Sequence, residues 1–244
     1  MFVNRIITDI NLGFMSISIY RVFFILGFVG VFIYLWNISK KYSIPKWKSV
    51  VFTVLVYGST VIWMLFLYWV ENGFEGFGGN NIVRVFWWLG VFVFPVSKLL
   101  KLDYWKALDF VSPCLCINHG IAHLGCVFAG CCHGYPCSWG VLNPELGYRC
   151  FPNQPIEALV AIGIAVFIWH REKKKGYEQG IDGLSFPLML MLFGYSRFFL
   201  EFLRDNDKLF WGISALAIHA LVNAVIGTVA YILIKKKRAK LSAQ

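Results

Sequence analysis

Seven long runs of apolar residues, separated by short polar segments, constrain this chain more than any other feature of its sequence. The runs cover residues 17–36, 50–70, 82–96, 107–130, 155–169, 183–203 and 211–234. A helix of about 20 residues crosses the hydrocarbon core of a bilayer. We therefore predict an all-α polytopic membrane protein, in which residues 1–244 form a single transmembrane domain with about seven spans.

Composition excludes an ordinary soluble domain. The chain is 58% hydrophobic and only 15% charged, whereas soluble domains carry roughly 25% charged residues. A surface this apolar requires lipid as part of its solvent. The third and fifth runs are short for a span, and we expect them to tilt little or to extend into their flanks.

Basic residues lie on one side of the predicted spans. Of 23 lysines and arginines, 16 fall in the segments after spans one, three, five and seven: Lys40, Lys41, Lys46, Lys48, Lys98, Lys101, Lys106, Arg171, Lys173, Lys174, Lys175, Lys235, Lys236, Lys237, Arg238 and Lys240. Cytoplasmic loops carry such an excess, which predicts an outside amino terminus and a cytoplasmic carboxyl terminus. Because these clusters act as topology signals beside anionic lipid, the net charge of +10 does not indicate nucleic-acid binding.

Span six carries an arginine and a glutamate four residues apart. Arg197 and Glu201 therefore share one helix face. One interpretation is an internal ion pair that neutralises both groups. The other is an anion-binding arginine that a carboxylate orients, because the planar guanidinium suits a phosphate. A purely structural pair contributes little net stability, which favours the functional interpretation.

Span four places His119, His123 and Cys126 at positions i, i+4 and i+7, on one helix face. Polar lining of a cavity is one interpretation of this set. A metal site is the other, since histidine and cysteine are the usual ligands of zinc and copper. No close-spaced quartet matches a known zinc pattern, so we predict neither a metal nor a cofactor.

The segment after span four is rich in cysteine and faces outside on the predicted topology. It holds Cys131, Cys132 and Cys137 and extends to Cys150. Adjacent cysteines rarely bond to each other, so we expect pairing with Cys137 or Cys150, in a structural role rather than in redox catalysis. With seven cysteines in the chain, at least one stays unpaired or pairs between chains.

The order of these features resembles the bacterial prolipoprotein diacylglyceryl transferases, from about residue 17 to residue 227. The stretches that carry the resemblance are residues 18–28 in span one, 109–113 and 123–134 in and after span four, 151–157 before span five, and 193–207 in and after span six. Arg197 and Glu201 match the arginine and glutamate of the family's span-six motif. His123, Cys126 and Cys131 stand where the family signature has an arginine, an asparagine and a glutamate.

The resemblance implies a seven-span enzyme of the bacterial inner membrane. Such an enzyme moves the diacylglyceryl group of phosphatidylglycerol onto the thiol of the lipobox cysteine in a prolipoprotein, so its partners are the phospholipid, the lipobox segment and the membrane. The catalytic residues that it implies are Tyr20, His123, Cys126, Arg197 and Glu201. The substrate-binding residues that it implies are His119, Gly125, Gly134, Gln154, Glu157 and Arg204.

That reaction requires cationic donors aimed at the departing phosphate and a base for the thiol proton. Arg197 fits the first role, with Glu201 holding its orientation. His123 suits either role, because histidine titrates near neutral pH. His119 and Tyr20 are further candidates.

Two other functions stay open from the sequence. One is a related membrane enzyme that transfers a lipid-derived group to another acceptor, with the cysteine-rich signature marking the change of substrate. The other is a thiol-redox or metal-binding membrane protein that uses Cys126, Cys131, Cys132 and Cys137. Bound metal would favour the second function, and turnover of phosphatidylglycerol would favour the transferase.

Overall fold

The computed structural model describes residues 9–11, 16–71, 86–177, 181–206 and 212–242. Most of these residues are helical. The helices are α1 (Ile19–Ile38), α2 (Lys46–Glu71), α3 (Phe86–Leu99), α4 (Tyr104–Ala129), α5 (Asn153–Lys175), α6 (Ser185–Glu201) and α7 (Ala215–Ser242), with a short 3-10 helix at Ser39–Tyr42 after α1.

Each of the seven predicted runs contains a helix, while residues 82–85 and 211 lie outside the described residues. Five helices are long and apolar enough to cross a membrane: Ile19–Tyr42, Lys46–Val70, Tyr104–Ala129, Asn153–Lys175 and Ala215–Leu241. The described part of α3 has 14 residues and α6 has 17, and both are shorter than a typical span. The protein is therefore a mostly helical, multi-pass membrane protein.

Two short antiparallel hairpins depart from the all-α prediction. Strand β1 (Asp9–Asn11) pairs with β2 (Ser16–Ser18), and β3 (Pro136–Leu142) pairs with β4 (Arg149–Cys150). Strands this short produce no periodic signal that competes with seven apolar runs. The second hairpin occupies the cysteine-rich segment and leads directly into α5.

Helix α4 is the central helix of the bundle and packs against α1, α5 and α6. Most of its residues are buried, so its polar side chains face protein rather than lipid. Close packing of small residues brings the helices together. Gly194 of α6 lies against Ala220 and Ala224 of α7, and Gly125 of α4 lies against the α1 backbone at Tyr20.

Two groups of interacting polar and charged side chains, most of them buried, lie at opposite ends of this bundle. The first, the Glu157 cluster, consists of His119, His123, Glu157, Arg197, Glu201 and Arg204. The second, the Glu172 cluster, consists of Tyr42, Asp109, Arg171, Glu172, Lys175, Asp182 and Ser185. Glu157 and Glu172 are both on α5, 15 residues apart, which separates them by about 22 Å along the helix axis.

Candidate functional site

Local sequence features place the Glu157 cluster at the junction of three helix ends. Helix α4 ends at Gly130, whose φ of 69° is readily adopted by glycine. Helix α5 begins after Pro152 and tolerates Pro155 because the first turn needs no intrahelical N–H donor. Glu157 therefore lies in the first two turns of α5, facing the last turns of α4 and α6.

Glu157 is the centre of the cluster, and it is 2% exposed. Its Oε1 lies 2.9 Å from His119 Nε2, 2.9 Å from Arg197 Nε and 3.6 Å from His123 Nε2. Its Oε2 lies 3.2 Å from Arg204 Nη2. One carboxylate thus holds two arginines and orients two histidines.

Glu201 completes a ring of alternating charge. It pairs with Arg197 one turn earlier on α6, and its Oε2 lies 3.8 Å from Arg204 Nη1. Ser214 donates a hydrogen bond of 2.8 Å to its other oxygen, and Asn206 also donates to that oxygen. Burial opposes the charge of Arg204, but the carboxylate of Glu157 outweighs burial and raises the pKa of the Arg204 guanidinium above its ordinary value.

The ion pairs of the ring leave hydrogen-bonding capacity of Arg197 unused. Its Nε and Nη1 lie within ion-pair distance of Glu157 and Glu201, but neither atom has a hydrogen-bond partner among the described residues. Arg197 also lines a cavity. Because the two arginines and two glutamates sum to zero charge, a ligand here is recognised by these remaining N–H groups rather than by net charge.

The cavity beside the ring has a volume of about 410 Å³. Its polar end carries the arginines, the histidines and the thiols, and its other walls are largely apolar. The lining residues are Tyr20, Phe24, Phe28, Tyr57, Thr60, Val61, Met64, Leu115, Asn118, His119, Ala122, His123, Cys126, Cys131, Cys132, Arg197, Arg204 and Leu216. A cavity with guanidinium and imidazole N–H groups at one end and apolar walls is suited to an amphipathic ligand with an anionic head.

Asn118 provides a second set of unused groups. Its side chain is 1% exposed, lines the cavity, and finds no hydrogen-bond partner for Nδ2 or Oδ1 in the part of the chain that the structure describes. An unpaired buried amide costs about 1–3 kcal/mol. That cost is recovered when a ligand supplies the missing partner.

Three thiols meet at the polar end of the cavity. Cys126 at the end of α4 lies within hydrogen-bonding reach of Cys131 and Cys132 in the segment that follows. Gln154 donates a 2.8 Å hydrogen bond to the Cys131 carbonyl and so attaches this segment to α5. Hydrogen bonds from Cys126 and Cys131, together with the charge of Arg204, outweigh burial and lower the pKa of the Cys132 thiol well below its ordinary value.

Two groups of side chains could hold a metal ion among the described residues. One is His123, Cys126 and Cys132, and the other is His119, His123 and Glu157. All seven cysteines are free thiols. The expected pairing of Cys131 or Cys132 with Cys137 or Cys150 is therefore absent, because the turn after α4 directs both thiols towards Cys126.

The predicted site residues fall into three groups. Tyr20, His119, His123, Cys126, Arg197 and Arg204 line the cavity, and Glu157 and Glu201 form the carboxylates of the ring behind it. Gln154 donates a hydrogen bond to the backbone carbonyl of Cys131. Gly125 lies against α1, and Gly134 lies between Phe151 and the Leu203 carbonyl, so packing explains both glycines, and a direct role in substrate binding stays a prediction.

Sequence reasoning missed Asn118 and the α2 wall of the cavity, and it named Cys132 only for the alternative thiol-redox or metal-binding function. The α4 lining residues Leu115, Asn118, Ala122 and Cys126 recur every three or four positions. Extending the His119–His123 face along the helix would have found Asn118. The α2 wall carries no comparable polar signal, because its lining residues are mostly apolar.

Comparison with known proteins bears on the function of this site. Residues 7–234 match the family described as prolipoprotein diacylglyceryl transferase. The chain belongs to that family. It is similar to phosphatidylglycerol–prolipoprotein diacylglyceryl transferase 2 of Clostridium perfringens, at 27% identity over 44% of this chain and 43% of the relative.

Other members of this transferase family align over longer stretches. The phosphatidylglycerol–prolipoprotein diacylglyceryl transferase of Pseudoalteromonas atlantica is 23% identical over 81% of this chain and 75% of the relative. That of Pasteurella multocida is 31% identical over 58% of this chain and 56% of the relative. The alignments with the C. perfringens and P. multocida proteins thus span about half the length of those relatives.

Proposed function

We propose that this family member transfers the diacylglyceryl group of phosphatidylglycerol to the lipobox cysteine thiol of a prolipoprotein. The observation that carries the proposal is the amphipathic cavity, in which Arg197 and Arg204 border one end of an otherwise largely apolar space of about 410 Å³. The names of the relatives support the same pair of substrates.

The phosphate of the lipid binds at the arginine end. Arg197 offers guanidinium N–H groups to a phosphate oxygen, while Glu157 and Glu201 fix the guanidinium plane. A positioned guanidinium stabilises the charge that develops on the departing glycerol phosphate. Arg204 borders the same end of the cavity.

The acyl part of the lipid lies along the apolar walls. Phe24 and Phe28 of α1 and Tyr57 and Met64 of α2 line this part of the cavity. Burial of each methylene contributes about 0.8 kcal/mol. Asn118 lies at the border of the polar and apolar parts, where its unpaired amide donates to an ester carbonyl.

The reaction is an attack by the acceptor sulfur on the glycerol carbon that bears the phosphate. An S–C bond forms, the C–O bond to phosphate breaks, and the electron pair leaves on the phosphate oxygen. The thiolate is the nucleophile, so the thiol must lose a proton. His119, whose Nε2 contacts Glu157 Oε1 at 2.9 Å, receives that proton on a ring that the carboxylate keeps oriented.

We further propose seven spans, an outside amino terminus and insertion in the bacterial inner membrane. The one-sided distribution of basic residues supports this orientation. The Glu157 cluster then lies at the outer end of the bundle, where a prolipoprotein segment reaches it. The Glu172 cluster, with Arg171 and Lys175, lies at the cytoplasmic end.

Transfer of labelled diacylglyceryl from phosphatidylglycerol to a lipobox peptide tests the proposal. The purified wild-type chain in lipid nanodiscs should transfer the label, and Arg197→Ala should lose at least about a hundredfold of that activity. Arg171→Ala, a substitution in the Glu172 cluster, is the matched control and should keep it. A folded wild-type protein that turns over the lipid but labels no lipobox peptide would indicate another acceptor. Absence of lipid turnover would refute the proposal.

A further inference from the structure

Three soft metal ligands lie at the polar end of the cavity. They are His123, Cys126 and Cys132, and Cys131 directly precedes Cys132 in the chain. Thiolate and imidazole are preferred ligands of zinc.

The structure brings these ligands together. One ring nitrogen of His123 and the sulfur atoms of Cys126 and Cys132 all lie within 4.8 Å of one another. Zinc binds thiolate at about 2.3 Å and imidazole at about 2.0–2.1 Å, so a small inward rotation of the side chains suffices to enclose an ion. All three residues line the cavity.

His123 has the surroundings of a metal ligand. Its Nδ1 is buried and has no hydrogen-bond partner among the described residues, while its Nε2 lies 3.6 Å from Glu157 Oε1. A ligating histidine characteristically presents one nitrogen to the metal and donates the other N–H to a carboxylate. Glu157 occupies the position of that carboxylate.

The backbone holds Cys132 in an unfavourable conformation. Its φ of 63° lies in the left-handed region, which costs a residue other than glycine about 1–3 kcal/mol. This conformation turns the side chain towards Cys126, and the Gln154 hydrogen bond holds the preceding carbonyl. A glycine would fit this backbone without strain, so the presence of a thiol here indicates that the sulfur has a use.

We propose that His123, Cys126 and Cys132 bind a soft divalent cation of the Zn²⁺ class, and that this ion holds the acceptor thiol as a thiolate for transfer. The role of the ion in transfer rests on the proposed function, whereas the binding site itself does not. Cys131, the most exposed of the three thiols, fills the fourth position at rest and yields it to the acceptor. The ion thus supplies a positive charge at the polar end of the cavity.

The chemistry balances without an oxidant or reductant. A thiol that binds the ion loses its proton, and His119 receives that proton. The bound thiolate sulfur forms the S–C bond, the phosphate oxygen leaves with the electron pair, and the proton passes to the released glycerol phosphate. An uncoordinated thiol is only a few per cent ionised at pH 7. Coordination therefore raises the fraction of acceptor present as thiolate about thirtyfold.

Metal analysis of the protein purified without a histidine tag tests the site. The wild-type chain, dialysed against limiting Zn²⁺ and then washed, should retain about one ion per chain. Cobalt(II) in its place should show the charge-transfer absorption of a thiolate complex. Cys126→Ser and Cys132→Ser should lose the ion and the absorption, whereas Cys137→Ser, in the β3 strand, should keep both. No retained metal in the wild type, or equal retention in all four proteins, would overturn the site.

Transfer assays on the same preparations separate the site from the function. Removing the ion with a chelator should lower transfer about thirtyfold, and Zn²⁺ should restore it. Unchanged transfer in the metal-free protein would overturn the role of the ion in catalysis. Retained metal with no lipid turnover under any condition would refute the proposed function and leave the binding site standing. Metal retention by the wild type tests the binding site even if a cysteine variant fails to fold.

Discussion

The Glu157 cluster and the Glu172 cluster are both networks of polar and charged groups around a buried carboxylate, but their hydrogen-bonding capacity is used differently. In the Glu172 cluster, Asp109 accepts from the backbone N–H groups of Asp182, Gly183 and Ser185 at 3.0–3.2 Å. Glu172 accepts from Tyr42 at 2.8 Å and from Arg171 at 3.0 Å. These bonds attach the α5–α6 connection to α4 and leave the carboxylates fully engaged.

The Glu157 cluster uses equally close ion pairs yet leaves donors unpaired beside a cavity. Arg197 Nε and Nη1 have no hydrogen-bond partner, and Asn118 finds none for either amide atom, among the described residues. A network that only stabilises the fold satisfies its own groups. Polar groups that face a cavity without a partner, rather than buried charge as such, therefore distinguish a functional site from a network that only stabilises the fold.

The largest effect should come from deleting the central carboxylate of either cluster. Glu157→Ala should lower the free energy of unfolding by about 3–5 kcal/mol, because the buried Arg197 and Arg204 then share Glu201 alone. Glu172→Ala should lower it by less, because Arg171 and Lys175 keep Asp182 as a partner. Thermal unfolding in detergent, with and without phosphatidylglycerol, separates the two clusters. Added lipid should raise the midpoint of Glu157→Ala, whose exposed arginines face the cavity, more than that of Glu172→Ala. Equal responses to lipid would contradict the distinction.

Replacing one arginine of each cluster with lysine compares the two clusters without changing their charge. Arg197→Lys should lower kcat/KM for transfer about a hundredfold, since a lysine cannot hold two carboxylates and a phosphate with one planar fork. Arg171→Lys should stay close to wild type. The assay is diacylglyceryl transfer at varied phosphatidylglycerol concentration, and similar losses in both variants would show that the effect is on folding alone.

Smaller effects on the free energy of unfolding, opposite in sign for the two clusters, are expected when single hydrogen-bonding side chains are replaced. Asn118→Leu should raise the free energy of unfolding by about 1 kcal/mol, because it removes an unpaired buried amide, while KM for the lipid rises. Ser185→Ala should lower the free energy of unfolding by about 1–2 kcal/mol, because Ser185 bonds Glu172 and Arg171. It should leave transfer unchanged. A stabilised Asn118→Leu protein with an unaltered KM would remove Asn118 from the site.

The smallest effect should appear on acidification. Burial opposes the charge of Asp182, but backbone and lysine hydrogen bonds outweigh it and lower the pKa of its carboxyl below its ordinary value. A lowered folded-state pKa gives stability that is present above the ordinary value and is lost as pH falls below about 4. Asp182→Asn should therefore flatten this part of the pH dependence of the unfolding midpoint. Since Asp182 is partly exposed, its contribution to the free energy of unfolding should be under about 1 kcal/mol. An identical acid response in the wild type and in Asp182→Asn would exclude this contribution.

Much of the fold follows from the sequence, because lipid demands long apolar helices wherever the chain crosses it. All seven helices coincide with predicted runs. The two hairpins were not predicted, since strands such as β4 (Arg149–Cys150) depend on a turn at Gly147 and on contacts with distant residues. The seven-span count and the orientation stay predictions.

The site was predictable where it rests on helical spacing. Arg197 with Glu201, and His119 with His123, share faces that the sequence reveals. The central place of Glu157 comes from the meeting of α4, α5 and α6, which no local pattern encodes. The sequence offered Cys126, Cys131, Cys132 and Cys137 for an alternative thiol-redox or metal-binding function, but it did not show which of them meet. The turn at Gly130 and the left-handed backbone of Cys132 bring Cys132 back to Cys126, so the ligand spacing follows no linear motif.

The most direct test of the central claim compares conservative substitutions of the two central carboxylates. Diacylglyceryl transfer from phosphatidylglycerol to a lipobox peptide is measured for wild type, Glu157→Gln and Glu172→Gln, each normalised to folded protein. Glu157→Gln should lose at least about a hundredfold of the activity, because it releases both arginines and the proton-accepting histidine, and Glu172→Gln should remain near wild type. Activity that survives in Glu157→Gln, or that falls equally in both variants, would contradict the assignment of the Glu157 cluster as the catalytic site.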